Sequence, residues 1–327
     1  MLLEPVYSEL DSRSDPNIES YIYRPNSINP WKMNTPIFAA PMDTVTNIEM
    51  ADFMFAKGGL AILHRYCSLK EELEDAKACK ENETVVGASV GTNGDAFERV
   101  MALIEEANVF IITIDIAHGH SKAALNLTEM MARNFPYVNI MSGNIATAEA
   151  AEDYINAGAN ILRVGVGAGS ACTTRLVAGI GVPQLSAIIN VREAADTVNR
   201  QVMVVADGGI RHSGDIVKAL AAGADAVMLG GMLSRYAITP RPGKFRGMAS
   251  ESALKDYKGT IKDSPEGREF DTNIIYNYHE HFDNLVAGVK QGLAYLGAED
   301  ISQLREKARW IAVSESGRRE GVAHFIS

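Results

Sequence analysis

The run Ile161-Leu162-Arg163-Val164, followed by Gly165-Val166-Gly167-Ala168-Gly169-Ser170-Ala171-Cys172-Thr173-Thr174-Arg175, decides how this chain reads. Its first four residues form a short, largely apolar run of the kind buried in a parallel sheet. Three alternating glycines then let the backbone turn sharply and aim N–H groups at an anion. Ser170 adds a hydroxyl donor beside them. Cys172 follows in a polar loop ending on Arg175, where a thiol is placed to ionise and attack; a structural cysteine usually lies in an apolar run. Strand, phosphate cradle and nucleophile in one stretch predict covalent chemistry on a phosphorylated substrate.

Seven similar runs flank it: Ile37-Phe38-Ala39-Ala40, Leu60-Ala61-Ile62-Leu63, Val85-Val86-Gly87-Ala88, Phe110-Ile111-Ile112-Thr113-Ile114, Val138-Asn139-Ile140-Met141, Val202-Met203-Val204-Val205 and Ala226-Val227-Met228-Leu229. Amphipathic segments lie between them, as at 95–107, 122–134 and 146–157. Successive runs are mostly about 22 to 29 residues apart, room for one strand and one helix. Gly158 and Gly223 stand where helices end before a strand. Eight such units predict an α/β fold, a single-domain (β/α)8 TIM barrel over 1–327, in preference to an open doubly wound sheet.

Polar residues then fall into a pattern. Asp43, His64, Ser89, Asp115, Asn144, Cys172, Asp207 and Gly230 each lie at or just past the carboxyl end of a predicted strand. Barrel enzymes assemble their sites on that face, with phosphates commonly bound after the seventh and eighth strands. Asp115 has an alternative reading as a cap of the following helix. Strands six and seven are about 40 residues apart, the excess being the cysteine loop, and residues 241–282 are polar and weakly periodic. They are predicted to form a long active-site flap, with helical periodicity returning over 283–298 and 299–309.

The net charge of −10 argues against nucleic acid or an acidic membrane surface as the main partner. No apolar run approaches the roughly 20 residues that span a bilayer, and the first residues do not read as a signal peptide. Cys67, Cys79 and Cys172 lack metal-ligand spacing and fit a reducing, cytoplasmic setting, with Cys67 and Cys79 read as inert. Neither His118 with His120 nor His279-Glu280-His281 makes a convincing metal site.

The markers Ala40-Pro41-Met42-Asp43-Thr44-Val45, Asp115-Ile116-Ala117-His118-Gly119, Gly143-Asn144, the cysteine loop, Ala206-Asp207-Gly208-Gly209, Met228-Leu229-Gly230-Gly231 and Arg246-Gly247-Met248 follow one another in order. From Ser12-Arg13 to about Ala298 the chain resembles the inosine-monophosphate dehydrogenase and GMP reductase family. Three details resemble its reductase branch. Cys172-Thr173-Thr174-Arg175 precedes Gly181-Val182-Pro183-Gln184-Leu185-Ser186-Ala187, the second and third strands leave no room for an inserted regulatory subdomain, and residues 249–266 contain no arginine. Dehydrogenases of the family use an Arg-Tyr pair in the flap to activate water; here Arg235-Tyr236 lies before the flap.

The resemblance implies reductive deamination of GMP, or a related purine monophosphate, to IMP and ammonia with NADPH. Cys172 would attack carbon 2, and Thr174 with Glu266 would supply the proton that ammonia needs to leave. Ser170, Gly208, Gly209, Gly230 and Gly231 would hold the phosphate side, Asp207 both ribose hydroxyls, and Gly247, Met248, Ala249 and Gly267 the purine side. The cofactor would meet Asp115, Ile116, Ala117, Arg65, Val166 and Gly167. Ser12, Arg13, Gln291, Gly292, Leu293 and Ala294 would come from a neighbouring subunit of a homotetramer. Arg65 and Arg13 are the implied partners of the extra phosphate of NADPH. Carbonyls of Gly167, Gly169, Cys172 and Arg175 would hold a potassium ion. Asp263, beside Lys262, stands where reductases usually carry an arginine that touches the nucleotide, which leaves a deoxy or modified purine open. A dehydrogenase without its regulatory subdomain and a nucleotide-binding sensor remain rival readings.

Overall fold

The computed structural model describes residues 1–25, 29–198, 201–259 and 264–321. Eight parallel strands close into a barrel: β1 (Ile37–Ala39), β2 (Leu60–Leu63), β3 (Gly87–Val90), β4 (Ile111–Asp115), β5 (Asn139–Ile145), β6 (Ile161–Val164), β7 (Met203–Asp207) and β8 (Ala226–Leu229). Val227 opposite Ile37 joins the last strand to the first. The ring of helices is α1 (Ile48–Ala56), α2 (Leu69–Glu81), α3 (Ala96–Glu105), α4 (Lys122–Asn134), α5 (Ala148–Ala157), α6 (Gln184–Asp196), α7 (Ser213–Ala221) and α8 (Tyr278–Tyr295). This is the (β/α)8 architecture that the strand spacing predicts.

Alternation along the strands divides two cores. Ile112, Ile114, Leu162, Val204 and Ala206 pack against helices, while Phe38, Ile111, Met141, Ile161, Met203, Val205 and Met228 fill the barrel. Side chains of a strand point alternately to its two faces. Parity therefore sends Asp115, Arg163 and Asp207 into the barrel mouth, above that apolar plug. At the opposite end, Ser20–Ile22 pairs antiparallel with Trp31–Met33, and Ile22 and Met33 join the inner core.

Local chemistry sets the helix ends. Ser68 and Glu71 form a reciprocal capping box on α2, and Gly158 ends α5 in the left-handed conformation. α8 completes the ring: Lys57 pairs with Asp283 at 2.5 Å and Phe53 meets Phe282 edge-to-face at 5.4 Å.

Two expectations shift. Strand β3 begins two residues later than its β-branched run suggests, so Ser89 is buried inside the strand instead of standing on the rim. The flap is more ordered than its weak periodicity implies: Lys244–Arg246 pairs with Glu269–Asp271, and the helix Glu251–Lys258 lies between them. α8 starts at Tyr278, so the flap segment ends before 282. Lys262 and Asp263 lie outside the described residues. Among the described residues, no helix is long and apolar enough to cross a membrane, and no three His, Cys, Asp or Glu side chains gather as a metal site. His120 instead bonds Asp153 at 2.8 Å, and His281 bonds the Tyr236 hydroxyl at 3.0 Å.

Candidate active site

A cavity opens at the carboxyl end of the strands, with Cys172 in its wall. The thiol of Cys172 donates to Thr174 Oγ1 at 3.2 Å, and the Thr174 hydroxyl donates to Glu266 Oε2 at 2.6 Å. The backbone sets this relay. Thr173 N–H donates to Glu266 O at 2.8 Å, and Arg268 N–H donates to Ala171 O at 2.9 Å, stitching the end of the flap to the cysteine loop. Burial pushes the thiols of Cys67 and Cys79 up to about 12, which keeps them protonated and inert as expected.

Gly209, Gly230 and Gly231 line the same cavity with Ser170. A Cβ on Gly231 would stand 3.1 Å from Ser170 Oγ, so the hydroxyl and this backbone turn face one cradle. Gly208, Gly247, Met248 and Ala249 line it as well, as do Asp115, Ile116, Ala117, Gly167 and Gly169. Gly267 does not: it bridges Cys172 on one side and Ser250 on the other, tying the end of the flap to the cysteine loop. Val166 is buried behind the loop.

Charge in the barrel mouth is organised by Arg163, which the sequence presents inside an apolar run. Its Nη1 donates to Asp115 Oδ1 at 2.5 Å and its Nε to Asp207 Oδ2 at 2.9 Å. Burial works against the guanidinium charge, but Asp207 and Asp115 outweigh it and hold the pKa above the ordinary arginine value. Asn144 Nδ2 also donates to Asp207 Oδ2, at 2.8 Å. That oxygen thus accepts twice from the protein. Asp115 does not cap α4, whose N-cap is Ser121.

Arg65 is held against Asp115 and Tyr66. Its Nε donates to Asp115 O at 3.0 Å, its Nη2 donates to the Tyr66 hydroxyl at 3.2 Å, and its guanidinium lies over the Tyr66 ring. Ser12 and Arg13 lie away from the cavity, Arg13 stacking on Tyr295 at 5.2 Å. Gln291 and Gly292 are partly exposed on the same side of α8, whereas Leu293 and Ala294 are buried and offer no side-chain surface.

The two implied groups fare differently. The cavity wall Asp115–Ala117 beside Cys172 suits a nicotinamide ring. At the implied potassium site one of the four carbonyls is already engaged and an arginine lies alongside. Gly169 O accepts the Cys172 N–H at 3.1 Å, and Arg175 lies against Gly167 while donating Nη2 to Val182 O at 2.5 Å. A cationic side chain already crosses that loop.

Comparison with known proteins agrees with this geometry. A family model described as IMP dehydrogenase / GMP reductase domain matches residues 1–324. An inosine-5'-monophosphate dehydrogenase of Aquifex aeolicus is 44% identical over 268 residues, covering 76% of this chain and 54% of that protein. A GMP reductase of Vibrio atlanticus is 34% identical over 328 residues, 96% of this chain and 94% of that one. An inosine-5'-monophosphate dehydrogenase of Borreliella burgdorferi is 34% identical over 363 aligned positions, 90% of this chain and 89% of that one. The chain therefore spans about half the length of the Aquifex protein and most of the other two. With its barrel, its cysteine loop and this match over nearly all its length, the chain belongs to the IMP dehydrogenase / GMP reductase family.

Proposed function

We propose that the protein is an oxidoreductase that works on a purine nucleoside monophosphate through a covalent bond to Cys172, in the direction that converts GMP to IMP and ammonia with NADPH. The observation that carries the covalent reading is the relay Cys172–Thr174–Glu266, opening on a cavity that also holds a phosphate cradle and Asp207. As sulfur adds to carbon 2, the thiol proton passes through Thr174 toward the Glu266 carboxylate. The same path returns a proton to the amino nitrogen, which leaves as ammonia while the carbon–sulfur bond stays. The nicotinamide cofactor, when bound, supplies the hydride that displaces the thiolate. Asp207 Oδ1 and the glycine turns keep carbon 2 over Cys172 throughout.

Direction rests on water. Residues 249–266 contain no arginine, and Lys255 is held by Glu251 at 2.6 Å. The flap helix is held from its other face, where Asp256 accepts from Arg246 Nη1 at 2.8 Å and Tyr257 meets Tyr66 edge-to-face at 5.2 Å. A flap segment without an arginine favours reduction over hydrolysis of the covalent intermediate. The second reading, a dehydrogenase, is favoured by the 44% identity to the Aquifex enzyme and by the Borreliella relative of comparable length.

Absorbance at the nicotinamide band, with ammonia and XMP quantified, separates the two. GMP with NADPH should turn over with stoichiometric ammonia, and IMP with NAD should yield little XMP. Robust XMP under the second condition reverses the assignment.

We also place the protein in the cytoplasm as a homotetramer that completes its cofactor sites between neighbours. Leu176 and Ile180, apolar and exposed beside the cysteine loop, support assembly. Light scattering that finds a fully active monomer would count against it.

A further inference from the structure

Gln184, the first residue of α6, reaches back to the ends of two strands. Its Nε2 donates to Val164 O at 2.7 Å and to Asp207 O at 3.2 Å. The β6–β7 ladder stops at the pair Val164 and Ala206, so these carbonyls lie where the two chains begin to part. One carbonyl opens the cysteine loop and the other opens the Asp207–Gly209 turn. The side-chain amide supplies the donor that a continuing ladder would have provided.

The two loops touch backbone to backbone at this point. A Cβ on Gly165, whose φ is +151°, would stand 2.0 Å from Asp207 O, and one on Gly208, whose φ is +95°, would stand 2.9 Å from Gly169 N. Only glycine allows that approach at those angles. From the other side, Asn144 Nδ2 donates to Gly165 O at 2.9 Å and to Asp207 Oδ2 at 2.8 Å. Two amides therefore span the same pair of loops, Asn144 at the side chain of Asp207 and Gln184 at its carbonyl. Asn144 lines the cavity; Gln184 stands behind it.

We propose that Gln184 is a positioning residue that fixes the distance between the nucleophile Cys172 and the ribose anchor Asp207. The proposal rests on the reading that Cys172 attacks a nucleotide held by Asp207, and it holds for either direction of the redox reaction. Gln184 tightens no contact to the ligand itself. Its loss lets the cysteine loop drift against a nucleotide that still binds, and misplacement by about 1 Å costs a covalent step heavily.

Two variants test this, with the rate of Cys172 alkylation by iodoacetamide and steady-state kinetics as readouts. In the unsubstituted protein, GMP or IMP should shield Cys172 from alkylation. Gln184→Met keeps the volume and removes the donor: shielding should persist, with the KM for nucleotide changed less than about threefold and kcat lowered about tenfold or more. Gln184→Glu turns a carboxylate toward two carbonyls near neutral pH, and on protonation its O–H donates to one of them. Its kcat, taken as a ratio to the unsubstituted protein so that titration of Asp207, Cys172 and Glu266 cancels, should rise as pH falls. That pH signature survives even where Gln184→Met fails to fold. An unchanged kcat in Gln184→Met, or a flat ratio in Gln184→Glu, overturns the positioning role. Absence of nucleotide shielding in the unsubstituted protein instead overturns the functional reading beneath it.

Discussion

Thr174 and Glu266, 92 residues apart in the chain, share a 2.6 Å hydrogen bond. The bond exists because the flap returns to the cysteine loop: Glu266 N–H donates to Ala249 O and Glu266 O accepts from Thr173 N–H. A carboxylate on an otherwise polar, partly exposed segment thereby comes within two hydrogen bonds of the Cys172 sulfur.

Cys172→Ala should abolish turnover while nucleotide binding survives, because phosphate and ribose are held by other groups. Calorimetric titration with GMP measures the second half of that statement. Mass spectrometry of the unsubstituted protein with GMP should find an adduct on Cys172, and turnover persisting in the alanine variant would remove covalent catalysis.

Glu266→Gln and Thr174→Val each cut the proton path at a different link. Each should lower kcat about 10²- to 10⁴-fold, the usual worth of general acid–base catalysis, with little change in nucleotide affinity. Because both residues serve one path, the double variant should be hardly worse than either single one. Additive losses in a rapid-quench measurement of ammonia release would show that they act separately.

Arg163→Met should leave Asp207 without its cationic partner in the barrel mouth and Asp115 with Arg65 alone, 3.5 Å away. Breaking a buried ion pair by removing one partner costs about 3–5 kcal/mol. The urea midpoint should fall accordingly, and adding Asp115→Asn should restore part of it. A midpoint unchanged in Arg163→Met would mean that the triad contributes nothing to stability.

His64 supplies a pH dependence. Burial pushes its pKa below the ordinary histidine value, and its Nδ1 is buried without a partner among the described residues. In the unfolded chain the group titrates near about 6.5. As pH falls below that value the unfolded state takes up the proton first, so stability is full above it and is lost toward the lower folded-state pKa. His64→Gln should flatten the acid-side decline of the urea midpoint, and a decline as steep as before would assign it to other groups.

Much of this molecule is legible in one dimension. Strand spacing and Gly-terminated helices predict the barrel, since short apolar runs at even intervals have few other ways to bury both faces. The glycines and Cys172 announce their loop, because a backbone that must turn and meet an anion needs residues without a side chain. Parity even states that Asp115, Arg163 and Asp207 face the same interior. It does not state that they meet. Arg163 is 48 residues from Asp115 and 44 from Asp207, and the order in which strands close around the barrel makes them neighbours. That pairing occupies one oxygen of Asp207, and the neighbouring Asp115 backbone carbonyl accepts from Arg65 Nε. The two-residue shift of β3, which buries Ser89, has the same origin: a continuous apolar run carries no mark of where its ladder begins. Sequence alone determined the fold and singled out Cys172 and its glycine loop, because each is written in a local pattern of residue types. Tertiary structure decided which charges pair and that Glu266 reaches Thr174, because those depend on distances between segments that only barrel closure and the returning flap bring together.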